Sequence, residues 1–432
     1  DWSDTNHFKT SSGTADIKDV FSTTLYAGND GTQSITSGID NTSKSLVWIK
    51  SRTNSRDHYL YDTLRGVNNY LRSNDTGGSD TATSLTAFNS DGFDLGNYPF
   101  INSINENFVA WNWKAAPGFF DIVPFTKTSG RMAVPHSLGS VPGMMIVKNL
   151  ENTFPVDGDW YVYHKDLTDN TYTLKLNETD AEESNSGVWN AEDPTATEFI
   201  VGSSLTTNNK YVAYLFADTP GLIKCGTYTG DDTSSHPISC GFKPGWVLIK
   251  NTIFGSDWFV MDAERSNMTL RPNEADGEAD AAYGWTGFDN DGFVVRGNNP
   301  NFNASGNTYI YVAIADPTTT TYYDELNTRA VSQHELVRRF GVDADTTNLR
   351  NQGIYPLVNQ PTGTTEAFVK EGDAYRAIPN RSMEVFQAQQ EADAANERLD
   401  DANEALETLR VDFEARLLKL EGKQPRGKKK DD

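Results

Sequence analysis

Cysteine is nearly absent: Cys225 and Cys240 are the only two in 432 residues. A disulfide framework and a four-thiolate zinc site are therefore excluded. The pair flanks a predicted hairpin, Tyr228-Thr229-Gly230-Asp231-Asp232. That leaves two readings, a cross-strand bridge or two half-buried thiols. Positive charge is also scarce. Lysine and arginine number 37 against 60 aspartates and glutamates, a formal charge of −23. Nucleic acid is not an expected partner, because its binding rests on neutralising phosphates. No run of eighteen apolar residues occurs, so no membrane insertion is expected. The sequence opens Asp1-Trp2-Ser3-Asp4, with neither an initiator Met nor a basic-then-apolar leader. Residues are expected to have preceded it.

Apolar residues make up 37%, below the usual ~45–50%, yet aromatics reach 11%. The shortfall reflects Ser, Thr, Asn, Asp and Gly, a mixture that suits strands joined by polar turns. The length implies roughly three domains.

Internal repetition organises residues 21–317. Leu46-Val47-Trp48-Ile49-Lys50 returns as Met144-Met145-Ile146-Val147-Lys148 and as Trp246-Val247-Leu248-Ile249-Lys250. Downstream, Asp57-His58-Tyr59-Leu60-Tyr61 matches Asp159-Trp160-Tyr161-Val162-Tyr163 and Asp257-Trp258-Phe259-Val260-Met261. Asp91-Gly92-Phe93 matches Asp291-Gly292-Phe293, where the middle repeat has a degenerate Glu198-Phe199-Ile200-Val201-Gly202. Each unit closes on an aromatic strand: Phe108 to Trp113, Tyr211 to Phe216, and Tyr309 to Ile314. Landmarks in one order at a near-constant period mark a tandem array.

The recurring runs are short, aromatic and β-branched, with turn residues between them, and none shows a helical period. The Lys-terminated run is apolar on both parities, as a central strand should be. The closing strand alternates, with Phe108, Ala110 and Asn112 on one face and Val109, Trp111 and Trp113 on the other. Asn97-Tyr98-Pro99 and Gly297-Asn298-Asn299-Pro300 read as breakers. The fold class expected is mainly β: an arm over 1–20, then β-sandwich or jelly-roll repeats over 21–117, 118–219 and 220–317.

Beyond Pro317 the composition changes. Residues 318–381 read as a linker with a short helix, capped by Ser332 and Glu335 and stopped at Gly341, followed by loops. From 382 to 422 neither Pro nor Gly interrupts one long helix. Val385, Ala388, Ala392, Ala395, Leu399, Ala402, Leu406, Leu409, Phe413 and Leu420 fall on heptad core positions, with Arg416 breaking one. A coiled coil is expected, with these ten residues at the oligomer interface. Burial against identical helices gives a homo-oligomer, a trimer ahead of a dimer; folding back on the parent chain is the competing arrangement. Residues 423–432 form a basic tail.

Catalytic signatures are missing: no His-Glu-x-x-His, no nucleophile elbow, no Cys/His metal spacing. Gly422 to Lys428 has phosphate-loop spacing, but Lys429 stands where Ser or Thr is needed. His58 occupies a slot that holds Trp160 and Trp258 elsewhere, so it reads as packing. Asp289-Asn290-Asp291-Gly292 invites calcium but lacks the distal Glu, so a tight turn is expected. Trp189, Trp285 and Tyr283 are candidates for stacking on sugar rings, with core packing the alternative. No catalytic, metal or cofactor residues are assigned, and an enzyme is not expected.

The repeat motifs resemble a domain repeated in tail-fibre and other appendage proteins of marine bacteriophages, cyanophages among them. The resemblance implies a virion structural protein with concanavalin-like or jelly-roll domains, contacting other virion proteins and a host cell-surface glycan. Competing readings are a capsid decoration protein and an extracellular glycan-binding or glycan-cleaving protein.

Overall fold

In the computed structural model, residues 15–151, 158–281, 283–318, 367–371 and 374–378 are described. They are mainly β-strand. The chain divides into two compact units, 1–321 and 322–432.

The first unit holds three six-stranded antiparallel sheets of one strand order. In the first, an opening strand (Phe21–Ala27) pairs with a closing strand (Asn107–Lys114). Next come a central strand (Ser45–Ser51), a fourth (Tyr59–Asp62), a fifth (Asn69–Arg72) and a two-residue edge (Asp80–Thr81). The second sheet runs Phe120–Thr126, Lys210–Phe216, Met144–Asn149, Trp160–His164, Tyr172–Lys175, Glu183–Ser184. The third runs Ile223–Thr229, Thr308–Ala315, Pro244–Asn251, Phe259–Asp262, Met268–Leu270, Ala279–Asp280. The Lys-terminated runs lie between two partners in all three, and every residue of them is buried. That burial on both sides is why they read as unbroken apolar stretches.

Each large sheet is accompanied by a small one. In the first module it is Gln33–Thr36, Gly92–Leu95 and Leu85–Asn89; in the third, His236–Ser239, Gly292–Val295 and Trp285–Phe288. Ile35, Phe93 and Leu95 share one apolar cluster with Val47, Ile49, Phe108 and Ala110. The alternating face of the closing strand thus builds the interior between the two sheets of the first module. Its other face, Val109, Trp111 and Trp113, joins a larger cluster containing residues from all three modules.

The second module has only two strands in its small sheet, Met132–Pro135 and Glu198–Val201. The Asp-Gly-Phe turn explains the difference. Gly92 pairs with Thr36 at φ +144°, and a Cβ there would lie 1.9 Å from the Ile35 carbonyl oxygen. The matching position in the second module is Glu198, which pairs with Pro135, and the returning strand is replaced by a helical turn, Ser186–Trp189. Gly92→Ala should therefore destabilise the protein by about 1–3 kcal/mol. A shift of the urea midpoint at unchanged slope would report it.

Three expectations need correction. One-turn helices occur at Ile17–Val20, Pro99–Asn102 and Ser186–Trp189; a single turn is too short to display a period. Pro99, read as a breaker, opens one of them, where its missing N–H costs nothing. The segment Tyr228–Asp232 is not a hairpin: Ile223–Thr229 belongs to the large sheet and His236–Ser239 to the small one. Asn303 draws the connection across, its Oδ1 and backbone oxygen accepting from the Asp231 and Asp232 amides at 3.1 and 3.0 Å. Cys225 and Cys240 are free and buried, and burial pushes both thiols up, Cys240 to about 12.

In the second unit an antiparallel hairpin joins Ala367–Glu371 to Ala374–Ile378, within a stretch expected to be loops. Gly372-Asp373 between two short β-forming runs is the overlooked hairpin signal. The helix at Ser332–Gly341, the ten heptad residues from Val385 to Leu420, and the basic tail lie outside the described residues.

Candidate functional site

Landmark residues of each module reach into a neighbour, and the contacts close a cycle. Lys148, ending the second module's central strand, donates through Nζ to the Thr76 carbonyl of the first module at 3.0 Å. Lys250 of the third donates to Thr179 of the second at 2.9 Å. Lys50 of the first donates to Ala275 of the third at 3.0 Å. Backbone bonds follow the same order, with Ser79, Glu182 and Glu278 amides donating to Leu150, Thr252 and Arg52 carbonyls, each at 2.9 Å.

The Asp-Trp landmarks serve these seams too. Trp160 Nε1 donates to the Arg72 carbonyl at 3.0 Å, and Trp258 Nε1 to the Lys175 carbonyl at 2.9 Å. His58 takes the third position. Its Nδ1 accepts from Trp48 Nε1 at 2.9 Å, and burial, opposed by the backbone of Arg271, pushes its pKa well below the usual histidine range. A buried packing residue results, as the repeat comparison implied. A further landmark is not evident from the repeats alone: Asn74, Asn177 and Asn273 each accept from the backbone N–H of His58, Trp160 and Trp258 at 2.8–3.0 Å and donate to Asp57, Asp159 and Asp257. Its signal was present as Asn-Asp, Asn-Glu and Asn-Glu at positions 74, 177 and 273.

Deeper in the seams lie two Asp-x-x-Arg pairs. Asp262 Oδ2 accepts from Arg265 Nε at 2.7 Å and from Trp111 Nε1 of the first module at 2.8 Å. Asp62 Oδ2 accepts from Arg65 Nε at 2.6 Å and from Tyr214 Oη of the second module at 2.8 Å. The second module has His164 and Leu167 instead. His164 Nε2 lies 3.2 Å from the Tyr311 carbonyl, and burial pushes it down to about 4.

The seam between the third and first modules is filled by charge. Glu278 pairs with Arg52 at 2.8 Å and lies 3.9 Å from Arg265 Nη1. Between the first and second modules, the matching positions are Ser79 and Leu150. There a cleft of about 400 Å³ opens, lined by Leu64, Arg65, Pro124, Phe125, Leu150 and Lys210 among others.

Buried lysines make the seams sensitive to pH. Burial lowers Lys50 to about 7 and Lys250 to about 8. Both folded values lie below the ordinary ~10.4, so between them the unfolded chain binds more protons and stability rises with pH. A neutral amine keeps two N–H donors, enough for the two carbonyls that each of these lysines bonds. The urea midpoint should rise from pH 6.5 toward pH 9.5, and Lys50→Met should flatten that rise.

Of the sugar-stacking candidates, Trp189 and Trp285 are fully buried and Tyr283 is 84% exposed. The first two fill module cores, packing on Tyr163 and Phe293. Asp289 to Gly292 forms the turn of a hairpin, the Asp289 amide donating to the Gly292 carbonyl at 2.8 Å. Among the described residues no group of three or more His, Cys, Asp or Glu is placed to hold a metal ion, and no helix is long and apolar enough to cross a membrane.

These features define a mainly β body of three six-stranded sheets, each beside a smaller sheet, joined through polar seams. Residues 16–317 match the family described as Domain of unknown function (DUF7483), and the chain belongs to that family. The match spans all three modules together. No curated protein matches the chain.

Proposed function

We propose that this chain is a structural appendage protein of a bacteriophage particle, of the tail-fibre type. Three copies of one sandwich module, jelly-roll or concanavalin-like, form its body. The heptad helix over 382–422 joins chains, three rather than two, through Val385, Leu399, Leu406 and the other core positions. The virion is its location, other virion proteins its partners, and its role is adhesion rather than catalysis. The supporting observation is the use made of its conspicuous polar residues: Lys50, Lys148, Lys250, Asp62 and Asp262 are spent on holding modules together. A body stiffened in this way suits a projecting part that transmits load, and several linked copies make weak surface contacts effective.

Light scattering coupled to size-exclusion chromatography tests the assembly. Three chains per particle are expected, and a monomer at micromolar concentration would overturn the reading. Antibody labelling of intact phage particles then tests location, with label on tail appendages expected and label on the head favouring decoration.

A further inference from the structure

The three seams share the same lysine and backbone bonds, and two of them also share a buried Asp-x-x-Arg pair, so a difference between those two is informative. At the seam between the third and first modules, the Glu278 carboxylate lies between Arg52 and Arg265. Its counterpart between the first and second modules is Ser79, and Arg52 is replaced there by Leu150, whose carbonyl accepts the matching backbone bond. Arg65 therefore keeps Asp62 but lacks the second carboxylate that its twin has. Its side chain is only 7% exposed, and its Nη1, like that of Arg265, is buried without a hydrogen-bond partner; what Arg265 has in addition is the Glu278 carboxylate 3.9 Å away. A buried, unsatisfied guanidinium N–H is costly to leave and gains from an acceptor.

The surroundings change in the same sense. Leu64 lines the cleft where the other seam has Glu264, and exposed Lys210 lines it where the other has Asn107. The carboxylates of Glu264 and Glu278 have no counterpart in the cleft, while Lys210 makes up for the cation lost with Arg52. Phe125, Pro124 and Leu150 supply apolar wall, and about 400 Å³ is within the range of small-ligand sites.

We propose that this cleft binds a carboxylated sugar residue, a uronic acid, whose carboxylate takes the place that Glu278 occupies at the sister seam. Arg65 and Lys210 face the charge, and the aromatic wall takes the apolar face of the ring. Binding of this kind does not depend on the chain's belonging to a virion.

Calorimetric titration of the full chain with glucuronate, glucose and benzoate tests it. Saturable glucuronate binding is expected, at least about tenfold tighter than glucose and tighter than benzoate. Lys210→Glu, at an exposed position, should weaken it by about tenfold or more. Ser79→Glu combined with Leu150→Arg rebuilds the ion pair of the sister seam and should abolish it while the thermal midpoint holds. Absent glucuronate binding, equal binding of glucose, preference for benzoate, or affinity unchanged in both variants would each overturn the proposal.

Discussion

Trp113→Ala should lower the stability of the whole β-body by about 3–5 kcal/mol, in one cooperative transition. The side chain is fully buried, and its ring meets residues of every module. Phe21 and Trp48 of the first lie at centroid distances of 5.3 and 6.3 Å, Phe120 and Phe216 of the second at 6.3 and 6.5 Å, and Trp246 of the third at 5.5 Å. Truncation leaves a cavity that no single module can close. Differential scanning calorimetry distinguishes the outcomes. One shifted peak is expected; three peaks, of which only one moves, would mean that the modules fold separately. Trp189→Ala is the useful companion, because its ring partner, Tyr163, lies in the same module.

Asp262→Ala should be comparably severe, about 3–5 kcal/mol, for a different reason. It strips the Arg265 guanidinium, whose side chain is wholly buried, of its hydrogen-bonded charge partner, leaving only Glu278 at 3.9 Å, and leaves Trp111 Nε1 without an acceptor. An unpaired buried charge costs more than the intact pair contributes. Replacing both residues, Asp262→Leu with Arg265→Met, should therefore recover much of the loss in urea denaturation. Asp62→Ala should cost less, since Arg65 borders the open cleft. Equal losses at the two sites would mean that burial does not set the cost.

Two of the landmarks found by comparing modules, the lysine that ends each central strand and the tryptophan of Asp-Trp, lie at the seams. Lys50, Lys148 and Lys250 ended runs too apolar to hold a charge comfortably, a signal that each ammonium must find carbonyls. The sequence did not say whose carbonyls, because acceptors such as Thr76, Thr179 and Ala275 contribute backbone, which any residue supplies. Asp62-x-x-Arg65 and Asp262-x-x-Arg265 recur two hundred residues apart and were legible in principle. They do not stand out because charge is abundant in an acidic chain and spacing alone carries no burial.

What the sequence determined by itself was local and periodic: strand runs, their order, the two-faced closing strand, and a middle module missing its Asp-Gly-Phe turn. Those follow from side-chain alternation and from one glycine that no L-residue replaces without strain. Only the tertiary structure decided that the outer face of each large sheet turns toward the other modules, that Trp189 and Trp285 are core, and that a cleft opens at the seam between the first and second modules. Such outcomes depend on which backbone and which charge arrive from another module, and no residue encodes that in its own neighbourhood.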